Sequence, residues 1–140
     1  MPRYLLIVDN QLGNDTSGGM SNWAPEVVAA HLDYYAALSK ALEASGELVV
    51  EEALTPPDQA HVVTSNGTDT TVIDGPFQEF KEWVAGYTMV DVESEERALE
   101  IAAQLSAVPG PNGPIEQPIQ VRRMYHGADP DQVRHDYGIA

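Results

Sequence analysis

Short apolar runs and helical stripes alternate along this chain with polar, Gly- and Pro-rich breaks. Tyr4 to Val8 is apolar and partly β-branched and is stopped by Asp9-Asn10, which reads as a buried first strand. Gln11 to Asn22 is polar and holds Gly13, Gly18 and Gly19, so a loop insertion is expected over 11–22. Ser21 or Asn22 is then placed to cap a helix whose first turn carries Pro25 and Glu26. Val28, Leu32, Tyr35, Ser39 and Leu42 recur at helical spacing to form its apolar face, and Gly46 is the expected stop.

The second half repeats the theme. Leu48 to Leu54 reads as a strand ended by Thr55-Pro56-Pro57, and His61–Thr64 with Thr70–Ile73 as a hairpin around Ser65-Asn66-Gly67. Gly86 to Val92 is a strand with Tyr87 and Met89 on one face and Thr88, Val90 and Val92 on the other. Ser94 caps a second helix in which Ala98, Ile101, Ala102 and Leu105 form a clean stripe. A Pro/Gly loop leads to a last strand, Ile119 to Met124, and Asp129-Pro130 predicts a short helix in the tail.

Two β-α-β halves in this order predict an α+β ferredoxin-like sandwich with an antiparallel sheet, helices on one face and the other face open. An open apolar face asks for a partner. One domain spans 1–124, and 125–140 is a C-terminal tail.

Composition narrows the options. A chain of 140 residues with 43% apolar and 21% charged residues supports one globular core. It has no cysteine, which excludes disulfides and thiolate metal sites. With 22 acids against 7 bases the net charge is −15, which argues against direct nucleic-acid binding and against anionic membranes. Leu5-Leu6-Ile7-Val8 is too short for a signal peptide or a membrane span, so a cytoplasmic protein is expected.

Charge and aromatics crowd into Asp74-Gly75-Pro76-Phe77-Gln78-Glu79-Phe80-Lys81-Glu82, followed by Ala85-Gly86-Tyr87. This run resembles the DGPF motif of the YCII-related (YciI-like) proteins, DGPFAETKE followed by GGY. Glu52-Ala53-Leu54-Thr55-Pro56-Pro57 is similar to their EALxPP segment, Gly86-Tyr87 through Asp91-Val92 to their GYYxIxV strand, and Val121-Arg122 to the VR of their closing strand. Gln78 and Phe80 depart from the usual Ala and Thr, and Gln120 stands where an acid is common. The resemblance implies a DGPF-subgroup member that is a homodimer, packing two sheets into a dimeric α/β barrel.

Candidate chemistry centres on His31, at the edge of the buried face of the first helix, where an imidazole can act as general acid or base or can simply bond a neighbour. In the YciI group a histidine on this helix is proposed to pair with an Asp, and Ala30-His31-Leu32 looks similar. Asp74 is the acid candidate; it can point into a cleft or bond its own turn as an Asx-turn. Phe77, Glu79, Lys81, Trp83, Tyr87 and Arg122 are the substrate-binding candidates, although core packing is the favoured role of the aromatics, and Glu52 and Arg122 could form an ion pair or either could instead face solvent. His126, Asp129, Asp131, His135 and Asp136 in the tail have no recognised metal spacing, so no metal and no cofactor are expected.

Two functions fit. The first is a small-molecule enzyme without a bound cofactor, performing isomerase- or lyase-like proton transfer with His31 and a carboxylate. The second is a non-catalytic ligand-binding or regulatory homodimer; some DGPF-type proteins are encoded beside extracytoplasmic-function sigma factors, which links that reading to transcription through protein contacts.

Overall fold

The sheet at the centre of the computed structural model, which describes residues 1–11, 19–55, 59–74, 82–125 and 130–139, has four strands. These are β1 (Arg3–Gln11), β2 (Leu48–Ala53), β5 (Glu82–Asp91) and β8 (Ile119–Arg123), in the spatial order β2-β5-β1-β8. Each neighbouring pair is antiparallel. Helix α1 (Pro25–Ser45) connects β1 to β2, and α2 (Glu95–Ser106) follows β5. A separate hairpin pairs β3 (His61–Ser65) with β4 (Thr70–Asp74), a small ladder pairs β6 (Pro109–Gly110) with β7 (Gly113–Pro114), and α3 (Pro130–Asp136) lies in the tail. Among the described residues the molecule is thus mixed α+β with an antiparallel sheet whose edges are β2 and β8, and no barrel closes within one chain.

Alternation along the strands decides the faces, because directly opposed residues of an antiparallel pair share a side. Tyr4 and Leu6 of β1 and Val90 of β5 are buried with Leu42 of α1 and with Ala98, Ile101, Ala102 and Leu105 of α2 in one core. Leu6 pairs with Thr88, itself buried, as the period of two requires. On the opposite side Leu5 faces Met89 and Ile7 faces Tyr87, and these four stay half-buried.

The helix signals are obeyed unequally. Ser94 caps α2 as expected, its Oγ accepting from the Arg97 N–H at 3.2 Å, and Glu95 and Glu96 sit against the positive end of the helix. Helix α1 instead starts at Ala24, which is extended and gives no side-chain cap. Ser21 and Asn22 belong to a preceding 3-10 turn, Gly19–Asn22, and Pro25 at the first helical position starts the helix with its fixed φ. Gly46 ends α1 in the left-handed region at φ 79°, as a C-terminal glycine does.

Two further expectations are corrected. Leu32 shares the stripe of α1 yet is 51% exposed, because it borders a cleft instead of packing into the core. Glu52 and Arg122 form no pair: they stand on β2 and β8, the two edges of the sheet, with β5 and β1 between them. Three strand spacings separate them by roughly 14 Å. The hairpin forms as expected, its turn held by Asn66 Oδ1 accepting from the Thr68 and Asp69 N–H groups, with Gly67 at φ 95°.

Candidate functional site

Where Leu32 loses its cover, a cleft of about 560 Å³ opens between α1 and the helix-facing side of β2 and β5. Helix α1 contributes His31, Tyr35 and Ser39, spaced by four and so stacked on one face. The sheet contributes Glu51, Gly86 and the buried Thr88, which lies opposite Glu51 in the register. Gly86 is required at this place: a Cβ there would stand 2.9 Å from the Glu52 carbonyl oxygen, so only glycine lets β2 approach β5 without a shift.

His31 is fixed on both sides. Its Nδ1 lies 2.8 Å from the carbonyl oxygen of Pro109 on β6. A carbonyl only accepts, so Nδ1 carries the proton and donates it. The neutral ring therefore keeps its lone pair on Nε2. Trp23 and Tyr35 hold the ring edge-on, with centroids 5.2 and 5.1 Å away.

Tyr35 is the second polar group. Gln117 Nε2 donates to its hydroxyl at 2.8 Å and to the Leu105 carbonyl at 3.0 Å. Because the phenol accepts from Gln117, its own proton remains to be donated. Burial raises its pKa above the ordinary 10.0, helped by the negative charge of Glu51 and opposed by the Gln117 hydrogen bond, so the phenol holds its proton. Ser39 Oγ donates to Glu51 Oε1, tying α1 to the edge strand and orienting the carboxylate on the cleft wall.

The other site candidates are distributed differently. Asp74 lies on β4, 90% exposed, and its partner among the described residues is His61, whose Nδ1 is 2.9 Å from Asp74 Oδ1 across the hairpin. The His31–Asp74 pairing is therefore replaced by two others, His31 with Pro109 and Asp74 with His61. Tyr87 lies opposite Ile7 and Arg122 opposite Leu5, both on the side of the sheet away from the helices, so Tyr87 borders the cleft only through its place in β5. Phe77, Glu79 and Lys81 lie outside the described residues, as does the side chain of Trp83, whose backbone pairs with Asn10. Of the tail residues, His126 and Asp129 lie outside them too. Tyr35, Glu51 and Gln117 were not singled out as site residues from sequence; the spacing of His31, Tyr35 and Ser39 was the available signal.

The YCII-related domain matches this sequence over residues 14–113. The chain belongs to the YCII-related family. It is also 30% identical over 86 residues to an uncharacterized protein of Rhizobium meliloti (strain 1021), covering 61% of this chain and 69% of that protein. The YCII-related match contains His31, Tyr35, Ser39, Glu51 and Pro109 and ends before Gln117 and β8. The phenol is thus positioned by a residue outside the matched segment. No helix among the described residues is long and apolar enough to cross a membrane.

Proposed function

We propose that this YCII-related protein processes a small molecule by proton transfer beside a carbonyl, with His31 as the base and Tyr35 as the hydrogen-bond donor to the oxygen. The observation that carries the reading is the Pro109 carbonyl on His31 Nδ1, which leaves Nε2 as the basic nitrogen of a ring lining the cleft. In the reaction, Nε2 takes the proton of the carbon next to the carbonyl. The electron pair moves into a C=C bond and onto the oxygen, which accepts from the Tyr35 hydroxyl. Return of the proton from Nε2 to the same or another carbon completes an exchange or an isomerisation. Glu51 takes the place of Asp74 as the carboxylate of the site, oriented by Ser39. The chemistry needs no group beyond these side chains.

The finer architecture belongs to the same proposal. The order β2-β5-β1-β8 with helices between supports a ferredoxin-like sandwich. The half-buried row of Leu5, Ile7, Tyr87 and Met89 supports a homodimer closed face to face as an α/β barrel. The run Asp74-Gly75-Pro76-Phe77 supports a place in the DGPF subgroup.

Hydrogen exchange tests the reaction. Enolisable cyclic ketones and aromatic hydroxyketones are incubated with the protein in D₂O and followed by proton NMR. Wild-type protein is expected to exchange the carbon-bound proton of at least one of them faster than buffer, and His31→Asn to lose that gain. Exchange at the buffer rate throughout, with compounds still binding in the cleft, favours the non-catalytic ligand-binding reading instead.

A further inference from the structure

Taking the cleft as the site, we propose that its ligand is a neutral or cationic ring compound carrying a hydroxyl or amine donor for Glu51, and that carboxylates and phosphates are rejected. The register puts Glu51 on the helix-facing side of the edge strand, opposite the buried Thr88. Ser39 occupies one carboxylate oxygen, Oε1. An ionised carboxylate has two oxygens and about four acceptor positions, so the anchored group retains capacity for a ligand donor. The hydroxyl of Ser39 acts as a positioning group: it holds the charge at the wall and leaves Oε2 to the ligand.

The rest of the wall agrees with this polarity. His31 and Tyr35 present rings that suit an apolar, planar body. Glu52 lies opposite Tyr87 on the other side of the sheet, so Glu51 is the acid of this wall, and among the described residues no Lys or Arg lines the cleft. An anion entering would meet Glu51 without a neighbouring counter-charge, inside a chain of net charge −15. A ligand with its carbonyl toward Tyr35 and a donor toward Glu51 is held at two points, which sets the reacting carbon against His31.

Three molecules of one skeleton test the class: benzylamine (cationic), benzyl alcohol (neutral) and benzoate (anionic), titrated into the protein and followed at the backbone amides of Gly86 and Thr88 by NMR. Benzylamine is expected to bind most tightly and benzoate at least about tenfold more weakly. Glu51→Gln is expected to compress that ratio, and so is raising the salt in wild-type protein from about 50 to 500 mM. The salt series needs no variant, so the result stands even if Glu51→Gln folds poorly. Benzoate binding as tightly as benzylamine, failure of all three to bind at millimolar concentration, or a ratio insensitive to salt overturns the proposal. The exchange assay reads the reaction and the titration series reads the ligand class, both on wild-type protein, so failure of the one is distinguished from failure of the other.

Discussion

Gln117 donates its side-chain N–H to the hydroxyl of Tyr35 across 82 positions of sequence, at 2.8 Å. The same nitrogen donates to the Leu105 carbonyl, which fixes the amide orientation, since the oxygen end of Gln117 has nothing to offer a carbonyl. Two consequences can be measured. Tyr35→Phe removes the donor to the substrate oxygen and is expected to slow exchange about 10²-fold while costing only about 1 kcal/mol of stability. Gln117→Leu removes the bond that pulls the phenol's pKa down, so the phenol is expected to titrate at a higher pH than in wild type, seen by phenolate absorbance. A lower titration point excludes this role for Gln117.

His31 has a structural bond and a proposed chemical one, and the two can be separated. Asn at this position places an amide N–H near the position of Nδ1, so His31→Asn keeps a donor for Pro109 and is expected to stay within about 1 kcal/mol of wild type. His31→Ala leaves the carbonyl without that donor and costs about 1–3 kcal/mol. Both variants are expected to lose exchange by about 10²–10⁴-fold. Urea denaturation beside the exchange assay makes the comparison; exchange surviving in His31→Asn shows that the ring is structural.

Local patterns carried the framework. Thr88 and Val90 face the core and Tyr87 and Met89 the other side because a strand alternates with period two, and Ser94 caps α2 because its hydroxyl reaches an amide three residues on. The site was less legible. His31, Tyr35 and Ser39 stand on one helical face, which spacing reveals, but their partners Pro109, Gln117 and Glu51 come from other elements. Helical periodicity says which side chains share a face and not whether a sheet covers them, so the stripe that buries Leu42 leaves Leu32 beside an open cleft. Asp74 drew attention through its motif, yet its carboxylate is spent on His61, the residue directly opposite it in the hairpin.

Gly86→Ala tests how tightly the cleft wall is built. The added Cβ stands 2.9 Å from the Glu52 carbonyl oxygen and 3.4 Å from Ala53 Cα, both backbone atoms that move only with β2. Overpacking of this kind costs about 1–3 kcal/mol, and the displaced strand carries Glu51 with it. The expected outcome is a destabilised protein in which ligand binding falls further than stability does. Unchanged stability by urea denaturation shows that β2 shifts freely.

The dimer is tested on the side of the sheet away from the cleft. Leu5 and Met89 face each other there, half-buried in the single chain. Leu5→Glu places a charge in the proposed interface and is expected to give monomers in sedimentation at concentrations where wild type is a dimer. A wild-type protein that sediments as a monomer removes the barrel proposal and leaves the cleft residues as they are.

Arg97 and Glu47 set the acid limit of the fold. The guanidinium donates through Nε to Glu47 Oε2 and through another nitrogen to Oε1, both at 2.9 Å, and joins α2 to the residue preceding β2. Glu47 is 14% exposed and Arg97 31%, so the pair is only partly screened by solvent. The Arg97 hydrogen bonds hold the Glu47 carboxyl below its ordinary value of 4.5, with a smaller pull from Ser45 against the opposing effect of burial. A depressed carboxylate pKa means that the unfolded chain binds the proton more readily. The stabilisation is therefore complete above pH 4.5 and lost as pH falls through the lower folded value. Arg97→Gln is expected to cost about 1–2 kcal/mol at neutral pH. That difference from wild type should shrink toward zero in acid, where Glu47 is protonated in both proteins. Urea denaturation of the two proteins at neutral and acidic pH makes the measurement, and a gap of equal size at both assigns the cost of Arg97→Gln to lost packing instead of charge.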